Sequence, residues 1–424
     1  MQSGLGQFLR SAKLARLYAL ADQGAQGLAN LVAISVLGRH LPTGQFGAVG
    51  MAMGLYYVVA GFHRSAVILP YITEHGSDDR AYHSDWWWLN VLFGAGLTAI
   101  LLGLAGGLAL GTEWWPQAIW GVMPLALGAL MTLPLLCAEH LRRWLYKRER
   151  ADLVALVSGI YAVALVGAAW MLPQWRGDAL GGALAWALAG SVATLLPLVW
   201  LRPAWPDWPA SWNCLARHRR FASWLALTIV PYMVYSSATV VVFIGLFNGP
   251  LAAAVFTAGR TLTNPAISMV SAVDSIDKPR AARAFAEQGL VGLRRSVRQT
   301  RWLLVAVTGG VRAGVALFAE PLLELAFHGA YRGIEPEVRW LALAFFLFCL
   351  NQPSETLLIV MRASATMFVT RSVTALVTLG LLVAGAPYGV SGMAIGLALA
   401  QGVNLLALLV AERWVAGRQG MVAA

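Results

Sequence analysis

Three arginines stand where the sequence is otherwise apolar: Arg64, Arg260 and Arg312. An arginine at the centre of a membrane helix costs roughly 2.5–3.5 kcal/mol even on a lenient insertion scale, so each needs a compensating environment. Two acids lie at comparable depth, Asp22 in the first half of the chain and Glu355 in the second. Three cations against two acids leave a net positive lining, and the planar guanidinium fork suits phosphate best. The set predicts an anionic cargo. Polar residues recur around it at helical spacing: Asp22, Gln26 and Asn30; Tyr232, Tyr235 and Thr239; Thr257, Arg260, Thr261, Asn264, Ser268 and Ser271; and Asn351, Gln352 and Glu355. Residues three or four apart share a helix face. These stripes predict a water-filled cavity between two lobes. Asp22 and Arg64 fall at similar depth on adjacent spans and are expected to pair. Glu355 is expected to pair with Arg312 or Arg260, or to titrate as a coupling group. His63 reads as a packed or water-facing histidine.

No enzymatic template accompanies these residues. The sequence holds no serine elbow, HExxH, CxxC, Walker loop or dinucleotide fingerprint in a strand-helix context. Cys137, Cys214 and Cys349 are far apart and give neither metal spacing nor a disulfide framework. The reading is therefore a transporter with no catalytic residue, no metal and no cofactor.

The elements that position such residues follow from composition. Of 424 residues, 58% are apolar and 12% charged, about half the ~25% charged fraction of a soluble domain. A mean hydropathy of +0.65 exceeds what one soluble core can hide, whereas a bilayer solvates the excess. This excludes an ordinary soluble enzyme. Apolar runs predict twelve transmembrane helices at about 17–38, 47–71, 87–111, 117–140, 152–173, 179–201, 222–247, 250–275, 302–327, 338–361, 365–386 and 389–412. Arg10, Lys13 and Arg16 precede the first without a cleavage site, which predicts a retained span.

The net charge of +11 would suggest nucleic acid in a soluble chain, but here placement decides. Of the 31 Lys and Arg, Arg39, Arg176, Arg332 and Arg339 fall in outer connections or at the adjoining span end, and three lie deep within spans. The other 24 are assigned to even-numbered connections with their adjoining span ends, Arg371 among them, and to both tails, which predicts cytoplasmic termini and no nucleic-acid partner. Trp86, Trp87, Trp88, Trp114, Trp115, Trp175, Trp200 and Trp302 fall at span ends, where amphipathic rings prefer the headgroup layer. A Trp- and Pro-rich break divides the chain into an N-terminal lobe (1–201), a cytoplasmic linker (202–221) and a C-terminal lobe (222–424). An offset of about 205 places Gly44, Gly47 and Gly54 on Gly249, Ala252 and Gly259, as a parallel pseudo-twofold repeat requires. Lys278 to Arg301 reads as a surface helix on the anionic inner leaflet, its basic face opposite Phe285, Leu293 and Val297. Gly50/Gly54, Gly107/Gly111 and Gly392/Gly396 have the spacing of close helix packing.

Several stretches resemble one family. Gly38-Arg39-His40-Leu41-Pro42-Thr43-Gly44-Gln45-Phe46-Gly47 resembles the R-x-L-x-x-x-x-F-G turn of polysaccharide-biosynthesis flippases, the Wzx-type branch of the MOP superfamily. Asn248-Gly249-Pro250 with Phe256-Thr257-Ala258-Gly259-Arg260 is similar to its second-half equivalent. Leu322 to Tyr331 resembles the turn after span nine, and Arg142 to Arg150 the basic connection after span four. The resemblance implies an all-α integral membrane protein of MATE-like architecture, with two six-helix lobes. It implies movement of undecaprenyl-pyrophosphate-linked oligosaccharide from inner to outer leaflet by alternating access, for lipopolysaccharide or exopolysaccharide, in the bacterial inner membrane. Implied partners are the lipid-linked oligosaccharide, membrane lipids, a polysaccharide polymerase and a chain-length regulator. Arg64, Arg260 and Arg312 match the cationic lumen positions. The sequence departs at Ser237-Ala238-Thr239, where many relatives have an acid, which argues against ion coupling there. It also lacks the two further spans of the lipid II branch, so a peptidoglycan precursor fits less well. A multidrug antiporter of the same superfamily and a membrane polymerase or ligase of lipid-linked glycans are the rival readings.

Overall fold

In hydrocarbon every backbone N–H and C=O must find its partner within the chain, so a sequence this apolar folds as helices. The computed structural model describes residues 2–73 and 80–422; within these, side chains are described outside 2–16, 20, 73, 210, 214, 217–226, 228, 265–269, 271–272, 274–276, 279 and 418–422. The side chains of Arg10, Lys13, Arg16, Cys214, Ser268 and Ser271 thus lie outside the described residues.

The chain runs through α1 (Gln2–His40), α2 (Thr43–His63), α3 (Leu69–Thr73), α4 (Arg80–Gly111), α5 (Ile119–Lys147), α6 (Ala151–Arg176), α7 (Ala179–Leu201), α8 (Trp208–Val234), α9 (Ser237–Leu317), α10 (Ala319–Phe327), α11 (Glu335–Val360), α12 (Ser364–Gly385) and α13 (Gly389–Val422). A π-helical turn, Arg64–Ile68, joins α2 to α3. The backbone of α9 breaks at Gly249 (φ 86°) and Gly289 (φ 61°), both in the left-handed region that glycine tolerates. Among the described residues no strand occurs, and eight helical stretches are long and apolar enough to cross a membrane, nine if the pair bent by 79° at Phe318 is one span. One stretch, Ser364–Gly417, is 54 residues long. It turns at Gly389 (φ 68°), and α12 packs along α13, so it is a hairpin.

The chain forms two compact units, Met1–Ile229 and Val230–Ala424. In the first, α1 packs along α6, α4 along α5, and α7 against α5 and α6. In the second, α11 packs against α9 and α13. Exposed leucines such as Leu104 and Leu110 on α4 form a lipid-type surface. The segment after α7 is strapped to the start of α4: Trp88 Nε1 donates to the Ala204 carbonyl (2.8 Å), Ala204 N–H to Ser84 Oγ (2.9 Å) and Ser211 Oγ to Asp85 (2.9 Å). Trp205 stacks on Trp88 at 5.7 Å.

Two sequence expectations change. The stretch from Lys278 to Arg301 is no separate leaflet helix: it continues α9 and folds back at Gly289. Its apolar side is covered by protein, with Leu293 and Val297 packed among Ala281, Leu357, Leu358 and Leu408, so it needs no lipid. The glycine pairs also divide. A Cβ on Gly396 would stand 2.8 Å from the Leu381 carbonyl oxygen, and one on Gly392 closer still to that of Gly385, so α12 and α13 touch backbone to backbone. Gly107 and Gly111 face open space, because the C-terminal half of α4 has no neighbour on that side.

This contrast predicts that Gly396→Leu lowers the unfolding temperature of the detergent-purified protein, by the equivalent of about 1–3 kcal/mol. Gly107→Leu should leave it within error. Equal effects would mean that the α12–α13 hairpin does not close this tightly.

Candidate functional site

In the first unit the site is built on a buried carboxylate. Asp22 is fully buried on α1 and accepts from Arg142 Nη2 (2.7 and 2.9 Å), the Tyr146 hydroxyl (2.7 Å), Ser158 Oγ and Gln26 Nε2 (3.3 Å). The other arm of the same guanidinium reaches Glu139 (2.8 Å) and Gln26 Oε1 (3.1 Å). Glu139 also takes two bonds from Arg143, at 2.7 and 3.0 Å. The expected Asp22–Arg64 pair does not form, because α1 lies along α6 and barely meets α2. Arg64 Nη2 instead stands 4.0 Å from Glu139, and its side chain is 59% exposed. Three guanidiniums share two carboxylates, and Arg64 is the one left over.

Arg64 opens the π-helical turn of the second span, a device frequent at functional sites. It borders a cavity of about 150 Å³ within the first unit, together with Gln26, Asn30, Tyr56, Tyr161 and Trp186. Gln26 and Asn30 reach this cavity as expected, yet both are engaged. Asn30 accepts from Trp186 Nε1 (2.9 Å) and donates to the Gln26 carbonyl (2.9 Å). His63 is a packed histidine, buried with Nε2 2.6 Å from Asn90 Oδ1.

In the second unit Glu355 pairs with neither expected arginine. It accepts from Arg371 Nη2 at 2.8 Å, and Arg371 lies over the Tyr232 ring at 5.3 Å. Tyr232 meets Tyr235 edge to face at 5.4 Å, so these residues do converge, around an arginine that sequence reasoning assigned to a connection. Asn351 donates to Gln401 (3.2 Å), and its Oδ1 is buried without a partner. Gln352 lines a small separate pocket with Asp277 and Thr300. Asn264 and Arg260 are half-buried on α9. The polar stripe beside them needs no water: Thr257 and Thr261 are buried and each donates to the carbonyl four residues back at 2.7 Å. Arg312 is 3% exposed, its three nitrogens have no hydrogen-bond partner, and its guanidinium lies 5.5 Å from the Phe345 ring centroid. The ring's quadrupole is the partial compensation. Among the described residues no group of His, Cys, Asp and Glu is arranged to hold a metal.

Sequence reasoning missed Arg142, Glu139 and Arg371. Arg142 and Arg143 were read as topology markers, although Glu139 three residues back is an ion-pair spacing that could have shown otherwise. Removing one partner of a buried pair strands the other charge. Asp22→Ala should therefore destabilise the purified protein by about 3–5 kcal/mol in thermal unfolding. Arg64→Ala should cost less than about 1 kcal/mol. The reverse order would show that Arg64 holds the fold.

Comparison with known proteins fits this geometry. An inward-facing multidrug resistance MATE family transporter of the MOP superfamily superposes with TM-score 0.64 at 15% identity, covering 96% of this chain and 95% of the other. The lipid II flippase MurJ in an inward closed conformation gives TM-score 0.64 at 13% identity, covering 93% and 87%. A mutant of the Vibrio cholerae MATE transporter VcmN gives 0.54 at 16% identity, covering 98% of each. No curated protein sequence matches significantly. Residues 36–334 match the family described as polysaccharide biosynthesis protein. That span covers most of a helical membrane chain with a MATE- and MurJ-like fold, and the chain belongs to the polysaccharide biosynthesis protein family.

Proposed function

We propose that the protein is a flippase that carries undecaprenyl-pyrophosphate-linked oligosaccharide repeat units from the inner to the outer leaflet of the bacterial inner membrane. The units would feed a surface polysaccharide such as lipopolysaccharide or exopolysaccharide. On this reading twelve spans form two six-helix lobes with both termini cytoplasmic, and alternating access moves the headgroup while the prenyl tail stays in lipid. A polysaccharide polymerase and a chain-length regulator are the protein partners. The observation that carries the proposal is the surplus of cations. Arg64 is exposed at a polar cavity beyond hydrogen-bond reach of a carboxylate, and Arg312 is buried without one. Arg64, Arg260 and Arg312 would replace the water that the pyrophosphate loses. Tyr232, Tyr235, Asn264, Asn351 and Gln352 supply the second unit's hydrogen-bonding groups for sugar hydroxyls.

The MATE fold also raises a multidrug antiporter. An organic cation needs an open acid, and the two deep ones are occupied: Asp22 by Arg142 and Glu355 by Arg371. The charge balance favours the anionic cargo.

In a deletion strain, lipid-linked oligosaccharide should accumulate on the inner leaflet. Units accumulating unpolymerised outside would indicate a polymerase or ligase, and drug sensitivity with intact glycan an exporter of cations. Alanine at Arg64, Arg260 and Arg312 together, at normal expression, should cut glycan export at least about tenfold, the equivalent of about 1.4 kcal/mol of lost stabilisation. Unchanged export in that triple variant would overturn the cationic mechanism.

A further inference from the structure

We infer that the cavity of the first unit is a subsite for a single pyranose ring, the sugar joined directly to the pyrophosphate, with Arg64 at its rim on the phosphate side. The inference rests on the flippase reading and adds to it a place for the first sugar. Three observations carry it. The cavity, about 150 Å³, has the size that accepts one six-membered ring such as benzene. Its wall is aromatic but not dry: Tyr56 and Tyr57 come from α2, Tyr161 from α6 and Trp186 from α7, among amide and charged groups. Such rings pair an apolar face for sugar C–H groups with a polar tip for hydroxyls. The tyrosine tips and Arg64 favour a guest that carries hydroxyls over an apolar ring.

The third observation is how the lining is held. Gln26 and Asn30 are fixed by Arg142, Ser158 and Trp186, so the floor is rigid before any ligand arrives. Pre-fixed side chains lower the cost of binding. Arg64 alone among the network's guanidiniums makes no carboxylate hydrogen bond, standing 4.0 Å from Glu139, and it borders the same cavity that the tyrosines line. A ring carrying an anionic substituent is the ligand that uses both features at once. A bare prenyl pyrophosphate would use only Arg64.

The test compares two probes on the full-length protein in lipid nanodiscs: a short-chain prenyl pyrophosphate, and the same compound bearing one N-acetylhexosamine. The sugar-bearing probe should bind about tenfold more tightly, the scale of one well-placed aromatic contact. Tyr57→Ala, at a ring 37% exposed, and Tyr161→Ala should each erase that advantage, while Tyr161→Phe keeps most of it. Arg64→Gln should weaken both probes by a similar factor. Equal binding of the two probes by the unaltered protein would overturn the sugar subsite but leave the flippase reading standing. A sugar advantage that survives in Tyr57→Ala would place the ring elsewhere and overturn it too. Failure of both probes to bind would remove both readings.

Discussion

The first unit depends on one guanidinium. Arg142 is buried and bridges Asp22 and Glu139, one acid on each arm. Each of those charges alone would be expensive to bury, and only their mutual hydrogen bonding makes the set tolerable in a low-dielectric interior. The arrangement fixes where three helices meet, since Asp22 stands on α1, Arg142 on α5 and the Ser158 donor on α6. It also decides which charge is left over. With Arg143 bound to Glu139, both carboxylates are saturated, and Arg64 remains as the surplus charge at the cavity.

The second unit uses the same economy with a different remainder. Glu355 takes Arg371, and Glu412 takes Arg301 with Ser354 as a third member. Arg312 is left with an aromatic ring and no carboxylate. A cation–π contact recovers a fraction of what a buried guanidinium loses on leaving water. An anion that reached it would recover more. The two surplus arginines therefore differ in kind: Arg64 is open to a ligand as it stands, whereas Arg312 would have to be uncovered first.

Depth was legible in the sequence, and pairing was not. A charge inside an apolar run is visible by counting, which is how Asp22, Arg64, Glu355 and Arg312 were found. Which charges meet depends on which helices pack. Sequence adjacency put the first two spans together, but α1 lies along α6, so Asp22 meets Arg142 from far along the chain. Arg142 and Arg371 were overlooked for a related reason: a basic residue near a span's end reads as a topology marker whether or not it turns inward to an acid. The threonines of the α9 stripe misled in the opposite sense. Thr257 and Thr261 look wetted by their period, but a hydroxyl can satisfy itself on its own helix. The helical class and the family were legible because hydropathy and short turn motifs are local properties.

The occupied acids bear on what drives transport. Protonating a carboxylate that already accepts charge-assisted hydrogen bonds breaks them and strands the facing arginine. Asp22 and Glu355 are both in that position, each held by a guanidinium from another helix. A flippase of anionic headgroups has another source of work. With the cytoplasm negative, each charge moved outward is downhill by about 2.3 kcal/mol per 100 mV. On the flippase proposal, the protein's part is then to lower the dehydration barrier, and the surplus arginines are the groups placed to do so. On the flippase proposal, the same surplus that disfavours an organic cation favours an anionic headgroup.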